Sequence, residues 1–270
     1  MQTEAPVSPV LIARRKIAAE NMSPACDAEG PGATRLRYLI CSSERSGSSL
    51  LADMLVSTGV AGVPMEYFNK LYMEPIVQPD LPAQAELGRY LAHLEQRRTT
   101  ANGIFGIKAH LVQLQRVVGP MQESNFQNFL RGFDRLIYIE RRNRLKQAVS
   151  LYRARATGLW SSKHEQYLPD TKRELPFRPH LMAALLHDVI LEHHNWQSIF
   201  KALGLSYLHV AYEDVAANPQ AEIPKILEYI GASSAQAHPV MPSLKKQYDN
   251  VNAGLEAKFM AHIQGQASGG

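Results

Sequence analysis

Cysteine is nearly absent: the 270-residue chain has two, Cys26 and Cys41, in neither a CxxC pair nor a Cys/His spacing. That excludes a disulfide-stapled scaffold and a structural zinc site, and it predicts a reducing, cytoplasmic setting. No run reaches the roughly 18 apolar residues of a membrane-spanning helix. Arg14, Arg15 and Lys16 follow a short apolar run, the reverse of the order in a secretory signal. Excess charge is small too. Twenty-nine Lys and Arg against 25 Asp and Glu leave +4, too mild for a nucleic-acid binder and suited to a small anionic ligand. HExxH is missing, and the adjacent His193 and His194 point about 100° apart on a helix, so with His187 and Glu192 they make no metal set. No metal is expected.

What is present is an ordinary globular composition, 45% hydrophobic and 20% charged, long enough to bury its own core. Residues 1–34 mix Pro, Ala, Gly and charge, and read as a poorly ordered arm with one short helix near 12–21. Apolar runs predict strands over 37–41, 103–108, 136–139 and 207–211. Three- and four-residue apolar spacings between them predict helices after Ser49, over 83–98, 145–156, 181–203 and 219–230. This alternation predicts an α/β three-layer sandwich with a mainly parallel central sheet. Residues 35–262 form its single domain, and 263–270 a flexible tail. The long aromatic, Pro-bearing segment 158–180 reads as a lid or substrate loop, packed over an acceptor pocket or a twin subunit.

Two segments carry chemistry. After the first strand, Ser43-Glu44-Arg45-Ser46-Gly47-Ser48-Ser49-Leu50 leads into a helix, which aims backbone N–H groups and hydroxyls at one point and suits a phosphate or sulfate-like anion. It is not a Walker A loop, because Ser stands where that motif needs Lys. After the third strand come Arg141-Arg142-Asn143-Arg144 and then Gln147-Ala148-Val149-Ser150, cations at the carboxyl end of a strand, where open α/β sheets bind ligands. Each segment also has a plainer reading, a serine-rich helix cap and a solvated basic helix start.

Together the segments resemble the 3′-phosphoadenosine 5′-phosphosulfate (PAPS) dependent sulfotransferases, and among them the bacterial carbohydrate sulfotransferase family of the trehalose 2-sulfotransferase type. Residues 43–51 are similar to that family's Ser-x-Arg-Ser-Gly-Ser-Thr-x-Leu, with Ser49 in place of Thr. Gly62-Val63-Pro64-Met65-Glu66-Tyr67-Phe68 resembles its Gly-x-Pro-x-Glu-Phe-Phe, and Tyr212-Glu213-Asp214 its closing strand and helix. Lys108-Ala109-His110-Leu111 departs from the Lys-Leu-Met-Trp of the trehalose enzyme. The resemblance implies a P-loop-like sulfotransferase fold, a PAPS-dependent O-sulfotransferase and a homodimer. It implies that Arg45, Ser46, Gly47, Ser48 and Ser49 hold the 5′-phosphosulfate. Arg141 or Arg142, with Ser150, would hold the 3′-phosphate.

Sulfuryl transfer needs a base for the acceptor hydroxyl and positive charge for the leaving phosphate. Glu66 is the expected base, helped if burial raises its pKa, with His110 as the alternative. Arg45 and Lys108 are the expected stabilisers of leaving-group charge. Tyr67, Phe68, Trp160 and Tyr167 are candidates for an acceptor pocket, and Lys245, Lys246 and Gln247 for a basic segment over the nucleotide. The acceptor is a carbohydrate or glycolipid hydroxyl, or alternatively a phenol or alcohol of a secondary metabolite. A non-catalytic nucleotide-binding module and a small-molecule kinase are the rival classes. Glu66 argues against the first, the missing Walker Lys against the second.

Overall fold

Strands β1 (Leu36–Ser42), β2 (Ile104–His110), β3 (Arg135–Glu140) and β4 (Leu208–Ala211) lie within two residues of the four predicted strands. All pair in parallel, in the order β2-β1-β3-β4. The computed structural model describes residues 8–74, 83–118, 123–167, 175–244 and 249–267.

The strands are apolar along their length because both faces are covered. Leu39, Cys41, Ile107, Leu136 and Tyr138 point to one side, where they meet α4 (Ala83–Arg98), α5 (Leu111–Val117) and Trp196 and Phe200 of α8 (Pro179–Leu203). Tyr38, Ile40, Ile104, Ile137 and Ile139 point to the other. There they meet α2 (Ser48–Ser57), α9 (Tyr212–Ala217) and α10 (Pro219–Tyr229). The period of two assigns successive side chains to opposite layers, which gives the expected three-layer α/β sandwich. Further apolar packing joins α7 (Arg144–Thr157), α8 and α11 (Asn250–Ala267). Two short helices, α3 (Lys70–Met73) and α6 (Glu123–Arg131), complete the set together with α1 (Pro9–Asn21). No described helix is long and apolar enough to cross a membrane.

Two ends differ from expectation. Helix α1, within the predicted loose arm, is docked: Ala13, Ile17 and Ala18 are buried, and Val10 packs on Leu159. Arg98, with no exposed surface, donates to the carbonyls of Asn21 and Cys26 and faces the Asp27 carboxylate at 3.2 Å. A buried guanidinium needs such acceptors, so it fixes the segment after α1. At the other end α11 continues to Ala267, past the expected start of the tail, with Leu255 and Phe259 buried.

Candidate active site

With the order β2-β1-β3-β4, the chain leaves β1 toward one side of the sheet and later returns to the other. The carboxyl ends of β1 and β3 therefore flank a crevice. Both anion-binding segments open there. In the loop after β1, Gly47 has φ +94°, and a Cβ on it would lie 2.2 Å from Cδ2 of Tyr212. Only glycine allows the Tyr212 ring to close over this loop. The Arg141 guanidinium sits 5.0 Å from the centroid of the same ring. Arg45 is the one non-glycine residue with left-handed φ (+64°) among the described residues, a conformation costing roughly 1–3 kcal/mol. It is held by Nε donating to Ser150 Oγ (2.9 Å) and by a bond to the Trp160 carbonyl. Gln147 Nε2 secures the loop from α7, donating to Ser43 Oγ and the Glu44 carbonyl, both at 2.8 Å.

The second half of the site forms at the end of β2. Gly62 turns the chain with φ +69° where a Cβ would lie 2.8 Å from the Ile104 carbonyl oxygen, so the backbone can approach β2. Met65 then bridges to Ile107, and Lys108 N–H donates to the Met65 carbonyl (3.0 Å). This bridge puts Glu66 beside Lys108. Lys108 Nζ donates to Glu66 Oε2 (2.8 Å) and to Ser49 Oγ (3.0 Å), joining the base candidate to the anion loop. Glu66 Oε1 accepts from Gln113 Nε2 (2.6 Å) and Asn69 Nδ2 (3.1 Å). His110 Nε2 lies 3.4 Å from Glu66 Oε2, while its Nδ1 meets Ser42 Oγ at 2.9 Å.

Electrostatics lower the pKa at both halves of the site, against the charged form of Arg45 and in favour of that of Glu66. Burial pushes the Arg45 guanidinium down, and the like charge of Arg141 adds to it, to about 10. Burial alone would raise Glu66, but the charges and hydrogen bonds of Lys108 and His110 outweigh it and hold the carboxyl well below its ordinary range. The raised pKa that would have helped Glu66 as a base is therefore not what the site provides: burial pushes it up, and its cationic neighbours outweigh that push.

A cavity of about 910 Å³ unites these groups, lined by Arg45, Gly47, Ser48, Ser49, Arg141 and Ser150 at one end and by Glu66, Lys108 and His110 at the other. Several predicted residues are elsewhere. Ser46 is fully buried off the cavity wall; its N–H donates to the Ser43 carbonyl (3.2 Å) and its hydroxyl has no partner among the described residues. Arg142 turns outward to Asp214 (2.9 Å). Tyr67 and Phe68 are core residues with no exposed surface. Trp160 lines the cavity; the Tyr167 side chain and Lys245, Lys246 and Gln247 lie outside the described residues. The loop read as a lid divides: residues 160–163 line the cavity, whereas Leu175 and Phe177 pack with α7, α8 and α11.

Sequence reasoning missed Gln113, Asn69, Tyr72 and the N-terminal residues Arg14, Asn21 and Asp27, all on the cavity wall. Asn69, three residues after Glu66, and Gln113, three residues after His110 and accepting its N–H at 3.1 Å, carried a local signal; the others arrive through tertiary packing.

The chain is similar to known proteins over most of its length. Two trehalose 2-sulfotransferases are similar to the chain, from Mycobacterium tuberculosis (24% identity) and Mycolicibacterium smegmatis (28%). Each covers 78% of this chain, matching 89% and 90% of the respective relative. Among solved structures, a sulfotransferase domain from the curacin biosynthetic pathway aligns with TM-score 0.45 and 16% identity, covering 83% of both chains. A sulfotransferase domain from the Synechococcus PCC 7002 olefin synthase aligns with TM-score 0.40 and 14% identity, over 86% of this chain and 97% of that one. The family model for Stf0 sulphotransferase matches residues 37–261, from β1 into α11, and the chain belongs to the Stf0 sulphotransferase family.

Proposed function

We propose that the protein transfers the sulfuryl group of PAPS to a hydroxyl of a small carbohydrate, with Glu66 as the general base. The observation that carries this reading is the Lys108 bridge, which links the Glu66 carboxylate at 2.8 Å to the anion loop at Ser49. One cavity thus gathers a carboxylate, an ammonium and a loop suited to anions. The donor fits the residues present. Burial and then the like charge of Arg141 lower the Arg45 pKa to about 10, and the α2 N-terminus adds N–H groups to the same wall, so an anion with phosphates at both ends offsets the positive charge gathered there. Arg141 and Ser150 are the proposed 3′-phosphate holders; Arg142 is already paired with Asp214.

The bound donor supplies a sulfuryl sulfur whose bond to the phosphate oxygen breaks as the acceptor oxygen bonds to it. The acceptor proton passes to Glu66, and the leaving electron pair stays on the phosphate of adenosine 3′,5′-bisphosphate. A carboxylate held ionised is a weak base for a free alcohol, so the proton moves late, once O–S bonding has acidified it. As Glu66 is neutralised its hold on Lys108 weakens, and the ammonium is freed for the charge growing at the leaving oxygen. Glu66 is favoured over His110 because its side chain is 21% exposed against 8%, and the His110 Nδ1 is committed to Ser42. The named activity of the mycobacterial relatives makes trehalose the first acceptor to test.

The nucleotide test comes first. Adenosine 3′,5′-bisphosphate at a hundredfold excess over Kd should raise the melting temperature by about 5–10 °C, and ATP should raise it less. Labelled PAPS should then pass its sulfuryl group to trehalose. A preference for ATP would contradict the reading.

A further inference from the structure

Helix α1 precedes the residues matched to the family, yet it forms part of the cavity wall. It packs on α3 at one end and on the short helical segment after Trp160 (Ser162–Tyr167) at the other. The guanidinium of Arg14 stands 5.8 Å from the Trp160 ring, and Arg14, Ile17 and Asn21 all line the cavity. Asn21 Nδ2 donates to the Tyr72 hydroxyl at 2.6 Å. Tyr72 also lines the cavity, on the helix that follows Glu66 and Asn69, and no described group accepts its proton. Burial, and then the charge of Glu66, keep this phenol protonated well above its ordinary range, so it enters the site as a neutral donor.

We propose that the N-terminal segment, residues 9–29, is an acceptor-selecting wall of this site, and that Tyr72, oriented by Asn21, binds the acceptor beside Glu66. The inference rests on the transferase reading above and adds to it the residues that choose the acceptor. Tyr72, Asn21, Asn69 and Gln113 present a phenol and three amides around one carboxylate, neutral groups that give and take hydrogen bonds. Such a surface matches a small neutral polyol, whose hydroxyls do the same, better than a phenol with one polar group.

The test uses the full-length enzyme and its Asn21→Leu, Tyr72→Phe and double variants. Labelled PAPS is the donor; trehalose, glucose, sorbitol and 2-naphthol are the acceptors; the Kd for adenosine 3′,5′-bisphosphate is measured in parallel. One lost neutral hydrogen bond should raise KM for the best polyol about three- to tenfold in each single variant. Turnover at saturation should stay within about threefold, and nucleotide Kd and melting temperature should hold. Because Asn21 acts through Tyr72, the double variant should be no worse than the poorer single one. Unchanged KM in both single variants overturns the inference. So does an additive double variant that also binds nucleotide less tightly, which would make the contact merely structural. If Tyr72→Phe does not fold, Asn21→Leu alone decides by the same split. A wild-type enzyme that binds the bisphosphate and sulfates only 2-naphthol overturns the polyol wall and leaves sulfuryl transfer standing; one that binds no bisphosphate overturns the transferase reading.

Discussion

At the scale of single residues, two carboxylates that both feel His110 show how environment sets chemistry. Glu66, ringed by Lys108, His110, Gln113 and Asn69, is held ionised. Glu192 on α8 is pushed the other way, to about 7, by burial and by Glu44, although His110 and the Leu111 and Val112 N–H groups pull it down. One of its oxygens is buried without a partner among the described residues. An acid whose pKa is raised by folding binds more protons in the native state, so stability falls as pH rises from about 4.5 through 7. Glu192→Gln should therefore melt close to wild type at pH 5 and above it at pH 8, a gain of up to roughly 3 kcal/mol at about 1.4 kcal/mol per unit. A difference in melting temperature that is constant across this range would show that Glu192 does not titrate there. Residues inside short motifs were legible: Glu66, Lys108, Arg45 and Arg141 meet in one cavity as their positions suggested. Orientation was not. Arg141 and Arg142 are neighbours in sequence, and remote partners separate them: Arg142 pairs with Asp214, 72 residues away, while the Arg141 guanidinium lies by the Tyr212 ring. Tyr67 and Phe68 read as pocket aromatics because their motif sits at the site, but the Met65 bridge to β2 directs both into the core.

At the scale of elements, α1 is the least self-sufficient piece. Its start is well formed, with Pro9 in the first turn after Ser8, but its place depends on contacts made by α4. Asp27 receives Arg97 at 2.9 Å and faces the fully buried Arg98 at 3.2 Å. Asp27→Ala should cost roughly 2–4 kcal/mol by leaving that charge short of an acceptor, which lowers the melting temperature by about 5–15 °C. Arg97→Ala, at a partly exposed side chain, should cost less. Equal small shifts in calorimetry for both would mean that Arg98 is satisfied without Asp27. The strands were readable because two covered faces leave an unbroken apolar run. Helices α5 and α9 were not, since each begins at the residue after a strand, at Leu111 and Tyr212, with no Gly or Pro to mark the change. Helix α11 was missed because its hold is tertiary: Arg153 reaches Asn252 Oδ1 (2.6 Å) and Asp249 (2.8 Å).

At the scale of the whole molecule, the site is assembled from remote parts of the chain around the carboxyl ends of parallel strands. β1 supplies the anion loop, β2 the Lys108 and His110 pair, and the turn after β3 supplies Arg141. Around these, residues from α1, from the segment after Trp160 and from residues 238–244 close the cavity; Ser243 and Leu244 are tied to Asp53 of α2. The strand ends carry the chemistry, and the surrounding wall, largely outside any motif, sets what can reach it. The most direct test of this account is turnover by Glu66→Gln with saturating PAPS and acceptor, measured beside its Kd for adenosine 3′,5′-bisphosphate. Glutamine keeps the volume and can still bond to Lys108, but it is not a usable base. The account predicts a fall in kcat of roughly 10²–10⁴-fold with the nucleotide Kd nearly unchanged. Near-normal turnover would contradict it and pass the role of base to His110.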